Sequence, residues 1–433
     1  MNAIDLSSIH AEVLDATTKG YPLSAAPLPL SAIGAQGWSL LTGDLPLAVL
    51  RDSALAHNHA WMRDFTAATG VLLAPHGKTT MAPQIFAQQL AAGAWGMTVA
   101  NVQQLGVCVR FGVRRIRMAN QLLGALEVRT VIDLLRRHPD LELHFLVDSP
   151  AQLAAIEAAA ATDPPSRQLA ALLELGVPGG RTGVRTHEAA LALARQLGAS
   201  RFVALSGLEC YEGLQISGDA AQDARTVGAL MQRVKELALA CDREALFAGR
   251  SIILTAGGSA AFDIVARELP MRLSKPVLRI LRSGCYVTHD SGNYERLLAG
   301  IQARSGGVWQ TRPGLQPALE VWSRVQSVPE PGLAILTMGK RDASYDIEMP
   351  IALKRFRTDV DAAPHAVPEG WTIAAMNDQH AYLRWRADEP DPPRVGELIG
   401  CGISHPCTTF DQWRVLFTVD DAYRVTGAIR TFF

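Results

Sequence analysis

Lys78 stands in the run Pro75-His76-Gly77-Lys78-Thr79, directly after the apolar stretch Val71–Ala74 and ahead of a helical pattern from Pro83 to Ala92. An amine held just past the end of a buried strand sits where α/β folds keep their chemistry. Lysine is also the side chain that forms Schiff bases with carbonyl cofactors once it is partly desolvated. A strand-end lysine pointing into solvent is the plain alternative. Gly77-Lys78-Thr79 is not a nucleotide P-loop, because Gly70 and Gly77 lie too far apart and the strand itself fills the interval. A second chemical feature is Gly257-Gly258-Ser259, which leads into the helical pattern Ala260–Leu269. Backbone N–H groups at a helix start favour an anion, although a tight turn or N-cap explains the same residues. A phosphate cradle facing a lysine suits one phosphorylated carbonyl cofactor, pyridoxal phosphate.

A third feature is Ser404-His405-Pro406-Cys407-Thr408. In an extended segment residues i and i+2 share a side, so His405 and Cys407 would present imidazole and thiol together. That pair suits Zn²⁺ ahead of Mn²⁺ or Mg²⁺, because thiolate is soft. Two protein ligands leave positions open for water or substrate. Asp378 and His380 are the candidates for a further ligand, and chance spacing is the alternative for the whole motif.

Eight apolar runs can position these residues: Val71–Ala74, Trp95–Val99, Arg115–Met118, Leu143–Val147, Ala171–Val177, Phe202–Cys210, Ile252–Thr255 and Val277–Ile280. Amphipathic stretches such as Leu122–Arg137 and Ala221–Ala240 separate them. Repeated strand–helix units predict a (β/α)8 barrel, with a doubly wound open sheet as the other arrangement. After Tyr294 the pattern changes to short β-rich runs divided by Pro, Gly and Asp: Val308–Gln310, Ala318–Gln326, Ala334–Met338, Trp371–Ala375, Ala381–Trp385, Glu397–Gly402, Trp413–Thr418 and Ala422–Arg430. These predict an antiparallel β domain with little helix. The expected organisation is an N-terminal segment over 1–48 packing with the β domain, a barrel over 49–300, and the β domain with the metal site over 301–433. Ser53–Ala67 reads as a helix leading into the barrel, and Pro364–Pro368 as a surface loop.

In a barrel, the C-terminal strand ends share one face. Lys78, Thr98, Asn120, Asp148, Arg181, Tyr211, Gly257-Gly258-Ser259 and Ser283-Gly284-Cys285-Tyr286 stand at or just past the ends of the eight strands in order. Lys78, Thr98, Arg181, Tyr211, Gly257, Gly258, Ser259 and Tyr286 are therefore the candidate cofactor-binding residues. Arg181 would lie against the cofactor ring or its oxygen, or else be a solvated turn residue. Tyr211 would stack on the ring or hydrogen-bond it, or else pack at the rim.

With 433 residues, a formal charge of −1 and its charges mixed along the chain, the sequence lacks a nucleic-acid footprint and a basic membrane face. No apolar run is long enough to span a bilayer, and the N-terminus lacks a secretion-signal layout. A cytoplasmic protein is expected. The six cysteines are scattered, which predicts reduced thiols, five in the core and Cys407 apart.

Taken together these segments resemble the fold-type III pyridoxal phosphate enzymes related to D-serine dehydratase and D-threonine aldolase, whose barrel is of the alanine-racemase type. Pro75–Thr79 resembles the family's Schiff-base motif and Ala91–Ala100 its next strand. Arg181–Val184, Gly207-Leu208 with Tyr211–Gly213, Gly257–Ser259, Gly284–Val287 with Asp290, Gly339-Lys340 with Asp346, Val395–Glu397 and His405–Cys407 continue it in order. The departures are Ala74 for a usual arginine, Thr80-Met81 for His-Lys, and Asn377–His380 for a Glu-Glu-His-like run. The resemblance implies that Lys78 carries pyridoxal phosphate and acts as the catalytic base, and that His405 and Cys407 bind zinc. It implies a homodimer acting on a small D-3-hydroxy amino acid, with no nucleic acid or membrane partner. An H-x-C metal motif resembles the dehydratases, which release a 2-oxo acid and ammonia, whereas H-x-D resembles the aldolases. Retro-aldol cleavage to glycine and an aldehyde is the alternative activity. A racemase or a non-catalytic cofactor carrier stands further off.

Overall fold

The computed structural model describes residues 4–305 and 307–433. All eight expected barrel strands form: Leu72–Leu73, Met97–Val99, Arg115–Gln121, Glu142–Val147, Leu169–Leu175, Val203–Cys210, Ile252–Ala256 and Val277–Leu281. From the second strand onward each pairs in parallel with the next, and the last pairs with the first through Ile280–Leu72 and Leu281–Leu73. The ring closes between the first and second strands. There the Trp95 N–H donates to the Leu73 carbonyl at 2.7 Å, and the Thr98 N–H to that of Pro75 at 2.9 Å. The sheet is therefore a closed barrel and not an open doubly wound one.

The barrel interior holds a small apolar cluster of Leu146, Leu172, Ile253 and Ile280, one residue from each of four strands, with Ala74 directly after the first strand. The outer faces of the strands belong to the large core shared with the helices. Local chemistry starts several of those helices. The side chains of Asn101, Ser149, Thr186 and Asp219 each accept the N–H three residues on, which satisfies one orphan donor of the first turn. Gly70, at a φ of 64°, ends the helix Asp52–Thr69 and turns the chain into the first barrel strand.

The second domain is built on the long strand Leu319–Glu330. It pairs antiparallel with Leu398–Gly402, Leu333–Leu336 and the N-terminal strand Leu47–Arg51. Leu47–Arg51 also lies parallel to Val415–Val419, so the chain contributes a strand to this sheet before it enters the barrel. Two further strands, Ile351–Phe356 and His365–Ala366, were not anticipated, the second within a stretch read as loop.

The expected strand Val308–Gln310 is corrected: these residues lie in the helix Gly307–Thr311. Trp309 packs on Trp61 and Phe65 at centroid distances of 5.0 and 5.3 Å, and that aromatic packing overrides a weak local β preference. The segment after Tyr294 is likewise more helical than expected, with Asn293–Ser305 continuous. No helix among the described residues is long and apolar enough to cross a membrane.

Candidate active site

A cavity of about 400 Å³ opens at the C-terminal ends of the barrel strands, roofed by the β domain. Its lining includes Lys78, Arg181, Tyr211, Gly258, Ser259, His405 and Cys407. Lys78 sits in a one-turn 3-10 segment, Gly77–Thr79, and its side chain is exposed to the open cavity, less desolvated than its strand-end position suggested. Gly77 lets this turn pack closely. A Cβ there would meet the Phe86 ring at 3.0 Å and the Thr98 carbonyl at 3.3 Å. Opposite, the Cys407 thiol lies 3.4 Å from the Thr79 hydroxyl, so the amine and the thiol are bound into one wall.

Three of the candidate cofactor residues do not line the cavity. Thr98 is fully buried, and its hydroxyl donates to the Ala74 carbonyl at 2.6 Å, which helps to close the barrel. Tyr286 is buried against His59, because the 3-10 turn Cys285–Val287 directs Cys285 to the cavity and Tyr286 into the core. Gly257 lies behind the wall. Its N–H and that of Gly258 donate to the carboxylate of Glu212 at 3.1 and 2.6 Å. Those two donors are therefore not free for an anion in this structure. The reason is a fully buried carboxylate just past the end of the neighbouring strand, whose own charge needs just such partners. The Ser283 hydroxyl donates to the Gly257 carbonyl at 3.0 Å and steadies the same turn.

The Arg181 guanidinium lies 5.0 Å from the Tyr211 ring centroid. Its loop is held by the Gly183 N–H, which donates to Asp148 at 3.0 Å, and by the Thr182 hydroxyl, which donates to Glu174 at 2.7 Å. Residues outside the candidate set line the same cavity: His76, Glu174, Glu209, Arg282, Tyr294 and Cys285, the last expected only as a core thiol. Arg282 pairs with Glu209 and also donates to the Thr255 hydroxyl at 2.9 Å and the Cys210 carbonyl at 3.0 Å. Burial pushes the Glu209 carboxyl up to about 8 against the pull of Arg282. His76 is held neutral, well below its usual range, first by desolvation and then by the charges of Lys78, Arg282 and Arg181. His76 Nδ1 and Glu209 Oε2 are buried without a hydrogen-bond partner among the described residues. Orphaned polar atoms in a cavity wall are what a polar ligand would satisfy.

The His405–Cys407 segment is not extended, as the sequence suggested. Pro406–Phe410 is a short helix with proline at its first position and His405 as its N-cap, so Cys407 lies in the first turn. Both side chains still reach the cavity. His405 Nδ1 lies 2.6 Å from an Asp346 oxygen, and the Thr408 hydroxyl donates to the other Asp346 oxygen at 2.9 Å. With Nδ1–H donating to the carboxylate, Nε2 keeps its lone pair, the arrangement by which metal-binding histidines are oriented. Asp378 and His380 do not take part. Both are exposed away from the cavity, and Asp378 faces Arg341 at 3.6 Å. Asp346 lies 59 positions before His405, and nothing in the spacing signals the pair.

Cys285 and Cys407 face each other with their sulfurs 3.6 Å apart. The Cys407 thiol is held below its ordinary range, chiefly by hydrogen bonding with Cys285, then Thr79 and the Lys78 charge, against burial. Among the described residues no group of three or more His, Cys, Asp and Glu side chains is already gathered as a metal cage.

A closed parallel barrel with a lysine at the end of its first strand, joined to an antiparallel domain, defines the alanine-racemase-like class of fold. The chain belongs to that family: the family model described as alanine racemase, N-terminal domain, matches residues 51–267, half of the chain. A second model, described as a putative serine dehydratase domain, matches residues 318–419. Among similar proteins, D-threonine aldolase of Arthrobacter sp is 26% identical over 87% of this chain and 89% of its own. D-threo-3-hydroxyaspartate dehydratase of Delftia sp. (strain HT23) is 34% identical over 36% of this chain and 40% of its own. The crystal structure of D-threonine aldolase from Filomicrobium marinum superposes with a TM-score of 0.73 at 22% identity, covering 91% of this chain and 97% of the other. These relatives are an aldolase and a dehydratase, both lyases.

Proposed function

We propose that the chain is a pyridoxal phosphate- and zinc-dependent dehydratase that converts a D-3-hydroxy amino acid, such as D-serine, D-threonine or 3-hydroxyaspartate, to a 2-oxo acid and ammonia. One observation carries this reading: the amine of Lys78 and the His405–Cys407 pair line a single cavity. A base and a soft metal-binding pair in one cavity are what removal of a proton from Cα and departure of a β-hydroxyl need.

The cavity fits the cofactor in size and in its orphaned wall atoms, His76 Nδ1 and Glu209 Oε2. Lys78 would hold the cofactor covalently, with Ser259 and Tyr211 at one end of the cavity and Arg181 over Tyr211. When bound, pyridoxal phosphate supplies a sink for the electrons left at Cα, and zinc supplies Lewis acidity toward the leaving hydroxyl. The chain's own residues do the rest. The Lys78 amine takes the Cα proton. Asp346 keeps the His405 imidazole in the tautomer that leaves Nε2 free. The cations Arg181 and Arg282 favour an anionic substrate and cofactor in the same space, while neutral His76 adds no charge. The family resemblance supports a cytoplasmic homodimer.

Retro-aldol cleavage to glycine and an aldehyde is the second reading, favoured by the near full-length similarity to D-threonine aldolase. The thiol at position 407 favours elimination, because H-x-C resembles the dehydratase motif. Incubation of the protein with pyridoxal phosphate, Zn²⁺ and each of D-serine, D-threonine and D-3-hydroxyaspartate decides between them. Oxo acid with equimolar ammonia is expected. Glycine with an aldehyde would replace this proposal by the second, and neither product from any substrate would overturn both.

A further inference from the structure

We propose that Cys285 is a ligand of the same metal, so that the site is built from two thiolates and one imidazole: Cys285, Cys407 and His405. This rests on the reading of His405 and Cys407 as a metal pair. Cys285 comes from the turn after the last barrel strand and Cys407 from the short helix of the β domain, 122 positions later. Their sulfurs are nevertheless 3.6 Å apart inside the cavity. A zinc ion about 2.3 Å from each sulfur would see this 3.6 Å separation at an angle of about 103°, close to the tetrahedral value. The thiol pair is thus already spaced for a tetrahedral ion.

Among the described residues no charged group pairs with the Cys285 thiol. Its side chain is buried, and besides Cys407 it meets the Thr79 hydroxyl at 3.9 Å and the Tyr294 phenol. The backbone holds it in place: the Cys285 N–H donates to the Ser259 hydroxyl at 3.3 Å. Preceding it, Gly284 allows the turn to sit against the lysine loop, since a Cβ there would lie 2.6 Å from the His76 carbonyl. Cys285 is therefore fixed beside Lys78's turn and aimed at Cys407. His405, oriented through Asp346, completes the set when the metal enters.

Two consequences follow. Three protein donors leave one position of a tetrahedral ion open, so a substrate hydroxyl would bind as the single exchangeable ligand. Two thiolates also select for Zn²⁺ over Mg²⁺ and Mn²⁺ more strongly than one.

The test is zinc K-edge X-ray absorption on the pyridoxal phosphate-loaded protein with one equivalent of Zn²⁺. Two sulfur scatterers at about 2.3 Å are expected. One sulfur overturns the role of Cys285 while leaving the proposed dehydratase standing, and no sulfur overturns the metal pair as well. Cys285→Ser and Cys285→Ala are each expected to drop the sulfur count to one and to weaken Zn²⁺ binding at least tenfold in chelator competition, with Mn²⁺ affinity changing less. Unchanged sulfur count and affinity in both variants would overturn the proposal. The wild-type spectrum decides the matter even if the variants fold poorly.

Discussion

Glu212 offers the sharpest test of how the cofactor end of the cavity is held. Its carboxylate is fully buried and accepts the N–H groups of Gly257 and Gly258 at 3.1 and 2.6 Å. A hydrogen bond to a charged group contributes about 1.5–3 kcal/mol net, and a stranded buried donor costs about 1–3 kcal/mol. Glu212→Gln keeps one acceptor oxygen but turns an NH₂ group toward the other N–H. Half of the arrangement is lost, which sets the expected cost at about 2 kcal/mol. For a barrel-sized unit this lowers the thermal midpoint by about 4–8 °C. Glu212→Ala loses both acceptors and leaves a void, so its cost should be at least twice that. The assay is thermal unfolding of the cofactor-free protein, followed by pyridoxal phosphate titration by absorbance. If Glu212 holds the Gly257–Gly258 turn, Glu212→Gln lowers stability and cofactor affinity together. A variant as stable as the parent that binds pyridoxal phosphate more tightly would refute this, and would mean that the carboxylate competes with the phosphate for those N–H groups.

Two further expectations concern titration and the metal. His76 and His144 are both held neutral by burial, with neighbouring cations adding to the effect, so the unfolded chain binds more protons than the folded one below about pH 6.5. Stability then falls as pH drops through 6.5, by up to about 1.4 kcal/mol per pH unit for each histidine. Urea unfolding at pH 7.0 and 5.5 should show the loss, and His144→Gln should shrink it. A pH-independent midpoint would count against buried neutral imidazoles. Asp346→Asn should weaken Zn²⁺ binding about 10–100-fold with the fold intact, by releasing the tautomer of His405. An unchanged affinity by chelator competition would show that the carboxylate does not orient the ring.

The barrel was legible because most of its buried strands are short, mainly apolar runs bounded by turn residues, and a parallel sheet needs little more local than that. Once the strands were placed, topology alone carried Lys78, Arg181 and Tyr211 to one face. What stayed hidden depends on rotation or on partners remote in sequence. Cys285 and Tyr286 are adjacent, and only the 3-10 turn after the last strand decides which of them faces the cavity. The spacing of His405 and Cys407 suggested an extended pair, yet proline at the first helical position allowed a helix instead. Asp346, Glu209 and Glu212 act through partners that no periodicity indicates. Trp309 took a helix because Trp61 and Phe65 were waiting for its ring.

The central claim is that the amine of Lys78 is the group that carries the cofactor in the cavity shared with Cys407. Borohydride reduction of the pyridoxal phosphate-loaded protein, followed by peptide mass spectrometry, tests it directly. One phosphopyridoxyl group per chain on Lys78, absent from Lys78→Ala, is the expected result. Labelling of another lysine, or a Lys78→Ala protein that is still labelled to the same extent, would contradict it.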